Sequence, residues 1–144
     1  IEGLPAYPMP GTQFSMQVVI EFSGDRAGLV FGFQDTNNKY IAYLYFPTQQ
    51  LILDRIQAGS RTVLASAASA AFTKLSPLTI VVDWKSNGDI RVRAYDSTPT
   101  LLATISANDT TYDSGGFGAH ARSDATSTPV AEFWNAQIEG PNTN

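Results

Sequence analysis

Apolar and polar residues alternate along most of this chain with a period of two, the spacing of a strand with one buried face. In Ala27-Gly28-Leu29-Val30-Phe31-Gly32-Phe33-Gln34-Asp35, the large residues Leu29, Phe31 and Phe33 fall on one side and Val30, Gly32 and Gln34 on the other. The first set is expected in the core. Segments rich in β-branched or aromatic residues recur at Phe14–Ser23, Gly28–Asp35, Tyr40–Phe46, Leu51–Gln57, Arg61–Ser66, Leu78–Lys85, Asp89–Asp96, Leu101–Ser106, Gly116–Arg122 and Val130–Glu139. That predicts about ten strands. Between them lie turn-forming clusters such as Ser23-Gly24-Asp25, Ala58-Gly59-Ser60, Asn87-Gly88 and Asp113-Ser114-Gly115-Gly116, with Asn87-Gly88 suited to a type I′ hairpin. Ala65–Leu75 is the one stretch with room for a helical turn or two.

Short strands at even spacing, without helices between them, predict two packed antiparallel sheets. In Tyr40–Phe46, Ala42, Leu44 and Phe46 are assigned inward, which turns Ile41, Tyr43 and Tyr45 outward. A chain of 144 residues is expected to form one domain. The strands bound it at 14–139, with 1–13 (three prolines in IEGLPAYPMP) as a linker or domain boundary and 140–144 as a tail.

Composition narrows the function. Only 15% of residues are charged, and Ser, Thr, Asn and Gln take their place, as in secreted β-proteins. A net charge of -4 and nine scattered cations argue against nucleic acid, which requires clustered Lys and Arg to release counterions. The absence of cysteine excludes disulfides, thiolate nucleophiles and Cys-ligated metals. No apolar run approaches the roughly 20 residues that span a bilayer, so no membrane partner is expected.

The strand and turn order in AGLVFGFQDTNNKYIAYL, QLILDRIQAGSRTVLASA, LTIVVDWKSNGDIRVRAYDSTPTLLATI, GGFGAHARSD and AEFWNAQIEG resembles the concanavalin A-like, laminin G-like jelly-roll superfamily, in particular its sugar-associated branch. The resemblance covers roughly residues 14 to 139. It implies an all-β, two-sheet antiparallel jelly-roll sandwich and a carbohydrate-binding-module-like role, with glycan held on a concave sheet or its rim loops. It also implies an extracellular setting, secreted or at the cell surface, within a larger parent protein whose other domains are its partners. One departure concerns metal: where relatives close on a strand resembling Phe-Asp-Asn, whose acid helps hold calcium, this chain has Phe133-Trp134-Asn135.

Catalysis finds little support in the residues. Glycoside hydrolysis requires two carboxylates a set distance apart, and no Glu-x-Asp-x-Glu run occurs. Asp83, beside Lys85, reads as a solvated strand-end ion pair. His120 is the sole histidine, no Gly-x-Ser-x-Gly elbow accompanies it, and a structural role is favoured over ligand contact. Sugar binding asks instead for flat aromatic surfaces and planar hydrogen-bonding groups. Gln34, Tyr43, Tyr45, Arg55, His120 and Arg122 are expected on one exposed sheet face. The Asp35-Thr36-Asn37-Asn38-Lys39 link is a hairpin turn first, and Asp35, Asn38 and Tyr40 are candidates for the rim of a sugar site. At most one structural calcium is expected, held by carbonyls and one or two of Asp25, Asp35 and Asp124. The leading expectation is a non-catalytic glycan-binding module; the alternative is a structural or assembly domain with no ligand of its own.

Overall fold

A computed structural model describes residues 7–8, 13–22, 24–74, 76–122 and 131–139, with side chains at 16–17, 24–74 and 76–121. Eleven strands appear among these: β1 (Tyr7–Pro8), β2 (Gln13–Phe22), β3 (Arg26–Asp35), β4 (Asn38–Tyr45), β5 (Gln50–Gln57), β6 (Ser60–Ala68), β7 (Leu78–Lys85), β8 (Asp89–Tyr95), β9 (Leu101–Asn108), β10 (Ser114–Arg122) and β11 (Ala131–Glu139). They form a six-stranded sheet ordered β1-β10-β3-β4-β5-β6 and a five-stranded sheet ordered β11-β2-β7-β8-β9. All pairings are antiparallel.

The alternation read from the sequence sets the core. Leu29 and Phe31 of β3, Tyr40, Ala42 and Leu44 of β4, and Leu51 and Leu53 of β5 face Ile80, Val82 and Trp84 of β7 and Ile90, Val92 and Ala94 of β8. At its centre the Phe31 ring lies 5.2 Å from Tyr40 and 5.4 Å from Trp84, between centroids. Tilted and edge-on contacts at these separations add to the area that the rings bury.

Three local expectations need correction. Phe33 is not in the core: Gly32 takes φ +58°, a conformation costly for residues with a Cβ, and the β3–β4 register shifts there. The shift turns Phe33 outward, against Val30 and Ile41. The described part of Ala65–Leu75, residues 65–74, holds no helix, because β6 continues to Ala68 with Ala65 and Ala67 packed on the core. The single helical turn among the described residues is a 3-10 turn at Phe46–Thr48. Asn87-Gly88 is not a type I′ turn: of that pair only Gly88 has positive φ, and its N–H bonds Lys85 O at 3.0 Å. That is the three-residue arrangement of a tight turn followed by a left-handed glycine. At the sheet edge, Tyr7 and Pro8 pair with Gly115 and Ser114 as β1.

Candidate functional site

The outward side of the larger sheet carries the most organised polar chemistry in the described structure. Register places His120, Gly28, Tyr43, Ile52 and Ser66 in one row across β10, β3, β4, β5 and β6. The next row holds Arg122, Arg26, Tyr45, Gln50 and Ala68. On the other flank run Gly118, Val30, Ile41, Asp54 and Val63. Gly28 has no room for a side chain, since a Cβ there would collide with Ala42 O and lie 2.5 Å from Tyr43 Cα. Its bareness lets His120 meet Tyr43 across it, edge-on, with centroids 6.1 Å apart.

Asp54 anchors this face. It is 1% exposed although it points away from the inter-sheet core, because Val30, Ile41, Tyr43 and Ile52 build a second apolar cluster around it. Its Oδ2 accepts the Tyr43 hydroxyl at 2.7 Å and Arg61 Nε at 2.5 Å, while Arg61 Nη2 donates to the Tyr43 hydroxyl at 2.9 Å. Burial, then the hydrogen bond to Asp54, pushes the Tyr43 phenol up to about 12. The hydrogen bond to Asp54 raises the Arg61 guanidinium as well, so Arg61 stays charged. Asp54 Oδ1 is buried and has no donor among the described residues. Above the tyrosines, the Arg26 guanidinium lies 5.5 Å from the Tyr43 ring and 5.1 Å from the Tyr45 ring, a cation–π arrangement.

The structure divides the expected site residues into separate groups. Tyr43, Tyr45 and His120 share the outward face, and Arg122 occupies its register there; the Arg122 side chain lies outside the description. The stacking platform expected of the tyrosines is not open, however. Tyr43 is 1% exposed and Tyr45 half-buried, both beneath Arg26.

Arg55 was expected on that face and instead sits on the inward side. It pairs in register with Tyr40, whose even-numbered phase on β4 is the core phase, and its Nη1 bonds Asp109 Oδ2 at 2.5 Å. Tyr40, expected on the rim, is fully buried, and donates to Asp109 Oδ1 at 2.6 Å while accepting the Tyr112 N–H at 3.2 Å. Burial raises the Tyr40 phenol further than that of Tyr43. Burial works against the Asp109 carboxylate, yet bonds from Tyr40, Thr111 and Arg55 together hold it below the usual range. This network closes one end of the sandwich, and its residues are occupied by one another.

The hairpin question also resolves. Asp35 pairs with Asn38, leaving only Thr36 and Asn37 as the turn, and Asp35 Oδ1 accepts Asn37 N–H at 2.8 Å and Asn38 Nδ2 at 2.9 Å. Asn38 Oδ1 accepts Ala58 N–H at 3.0 Å and the Tyr112 hydroxyl at 3.3 Å. Gln34 Nε2 bonds Ser114 O at 2.5 Å. These side chains hold the loops together, as a turn requires.

Of the acids named for a calcium, Asp25 and Asp35 do not come together. Asp25 and Asp35 flank opposite ends of the ten-residue β3, about 30 Å apart at strand rise. Asp25 lies 3.8 Å from Lys74 Nζ, and Asp124 lies outside the described residues. No group of three or more His, Cys, Asp or Glu side chains gathers among the described residues.

Asp83 is another correction: rather than a solvated partner of Lys85, it is 5% exposed and clamped by Arg91 Nη2 at 3.2 Å and Arg93 Nη2 at 2.8 Å. It lines a hollow of about 360 Å³ on the five-stranded sheet with Lys85, Asp89, Arg91 and Ser106. Charges of both signs meet there and no aromatic ring lines it.

Sequence reasoning missed Arg26, Asp54 and Arg61. The available signal was Asp54 itself, an acid at the outward phase of the apolar strand Leu51-Ile52-Leu53-Asp54-Arg55-Ile56. Its partner Arg61 is seven residues away and could be matched only through the β5–β6 hairpin.

No protein-family model matches this sequence, and no curated protein matches it. Among solved structures, carbohydrate-binding module CBM66 from Bacillus subtilis superposes with a TM-score of 0.68 at 19% identity, covering 90% of this chain and 76% of that one. The fold is a jelly-roll β-sandwich. Sheep galectin-11 aligns with a TM-score of 0.62 at 7% identity over 94% of this chain and 95% of the galectin. A tail fiber protein from a phage of E. coli aligns with a TM-score of 0.59 at 10% identity, covering 93% of this chain and 16% of the fibre protein. Across such distances sequence identity is low and the architecture is shared.

Proposed function

We propose that this chain is a non-catalytic carbohydrate-binding module of a larger extracellular enzyme or surface protein, and that it takes glycan on the outward face of its six-stranded sheet. The observation that carries the reading is the polar assembly on that face: Asp54, Tyr43 and Arg61 in mutual hydrogen bonds, with Arg26 stacked beside them on Tyr43 and Tyr45. Planar guanidinium donors whose orientation is fixed by buried partners suit the paired hydroxyls of a sugar. The likeness to a carbohydrate-binding module and to galectins supports the same reading. A hydrolase would need two carboxylates across the scissile bond. Asp54 is the one acid at an outward strand position of this face among the described residues, and it is engaged by Arg61.

The test is calorimetry against a panel of soluble polysaccharides. Tyr45→Ala, which removes one ring from beneath Arg26, is expected to weaken binding by about 1 to 3 kcal/mol while leaving the fold intact.

A second reading, a structural or assembly domain without a ligand, draws on the likeness to a phage tail fiber protein. It becomes the better account if no polysaccharide in the panel binds.

A further inference from the structure

We propose that the glycan held on this face is acidic, its sugars bearing carboxylate or sulfate groups that are met by Arg61 and Arg26. The inference rests on the glycan-binding reading and adds the class of ligand. Among the described residues, strand register assigns four cations to the face, Arg26, the buried Lys39, Arg61 and Arg122, and one carboxylate, Asp54. The protein as a whole carries a net charge of -4. A polyanion is therefore repelled by most of the surface and attracted to one face, which steers its encounter and its orientation. The hollow on the other sheet offers less of such a field, since Lys85 and Arg91 line it together with the carboxylates of Asp83 and Asp89.

The arrangement of Arg61 fits this ligand class. Its side chain is 48% exposed, while Nε and Nη2 are committed to Asp54 and Tyr43. Nη1 has no acceptor among the described residues, so a guanidinium locked from one edge presents its remaining donors from the other. A carboxylate or sulfate accepts such donors as strong, charge-assisted bonds, stronger than those of a neutral hydroxyl. Covered tyrosine rings point the same way: with Tyr43 1% exposed, and Arg26 over it and Tyr45, an incoming sugar meets guanidinium before it meets an aromatic face.

The experiment compares matched polymers by calorimetry: polygalacturonate against the same polymer with its carboxylates reduced to alcohols, and dextran sulfate against dextran. Binding at least about tenfold tighter to one or both anionic forms, and weakened by added salt, is expected. Arg61→Lys keeps a charge beside Asp54 but loses the two-pronged donor, and is expected to lower affinity for the acidic polymer about five- to tenfold while still unfolding cooperatively. Equal affinity for neutral and acidic partners overturns the inference and leaves glycan binding standing. Tight anionic binding that neither Arg61→Lys nor Arg26→Gln changes overturns the assignment to this face. Binding to none of the four polymers overturns the inference, and if the wider panel is also silent the glycan-binding reading falls with it.

Discussion

Replacing Tyr43 by Phe removes one oxygen from the outward face and leaves the ring, with its contacts to His120 and Arg26, in place. That oxygen donates to the buried Asp54 carboxylate at 2.7 Å and accepts from Arg61 at 2.9 Å. A hydrogen bond to a buried charged group contributes about 1.5 to 3 kcal/mol. The Arg61 contact adds little, since its half-exposed side chain finds water instead. The expected loss is therefore about 2 kcal/mol at neutral pH, which lowers Tm by about 5 to 8 °C in a domain of this size.

The sign of the pH dependence follows from the raised pKa. A raised folded-state value means the contribution is whole below the unfolded value near 10 and is lost as pH climbs through 12. Urea titrations of parent and variant from pH 7 to 12 should show a gap that is constant to about pH 10 and then closes. Tyr45→Phe, whose hydroxyl has no hydrogen bond among the described residues, should stay within about 0.5 kcal/mol of the parent. A Tyr43→Phe variant as stable as the parent at pH 7, or a gap that persists unchanged into alkali, would refute the account of Asp54 as a carboxylate that depends on this phenol.

Phe31→Ala should cost about 3 to 5 kcal/mol in urea unfolding by opening the aromatic centre of the core, whereas Phe33→Ala, turned outward by Gly32, should cost clearly less; equal losses would mean the β3 bulge is misread. Asp109→Asn should be destabilising at neutral pH, with the gap to the parent shrinking under acid. The folded carboxyl lies below its ordinary value, so its contribution is present above about pH 4 and lost as pH falls. Gly28→Ala should lower stability by about 1 to 3 kcal/mol or more, because the added methyl meets Ala42 O and Tyr43 Cα on the adjoining strand. A thermal melt that matches the parent would contradict that close approach.

The sequence by itself determined the sandwich. Period-two alternation is a local property, and wherever one face is buried it fixes which side chains turn inward, so the ten expected strands and the outward phase of Tyr43, Tyr45 and His120 were legible. Where that local rule is interrupted the reading failed. The alternation makes Phe33 a core residue, and only the left-handed Gly32, visible once β3 is paired with β4, reverses it. Arg55 and Asp54 are adjacent, and which of them faces the core depends on the register of β4 against β5, a relation between strands.

The candidate site was legible in part for the same reason. Tyr43, Tyr45 and His120 could be placed on a face, but not the fact that Asp54 and Arg61 close over Tyr43 and that Arg26 covers both rings. Those contacts join residues from β3, β4, β5 and β6, and no one-dimensional spacing encodes them. Local periodicity determined the fold and the facing of most side chains, whereas strand pairing decided which outward side chains meet, which of them remain exposed, and hence where charge rather than an open aromatic surface is presented to a ligand.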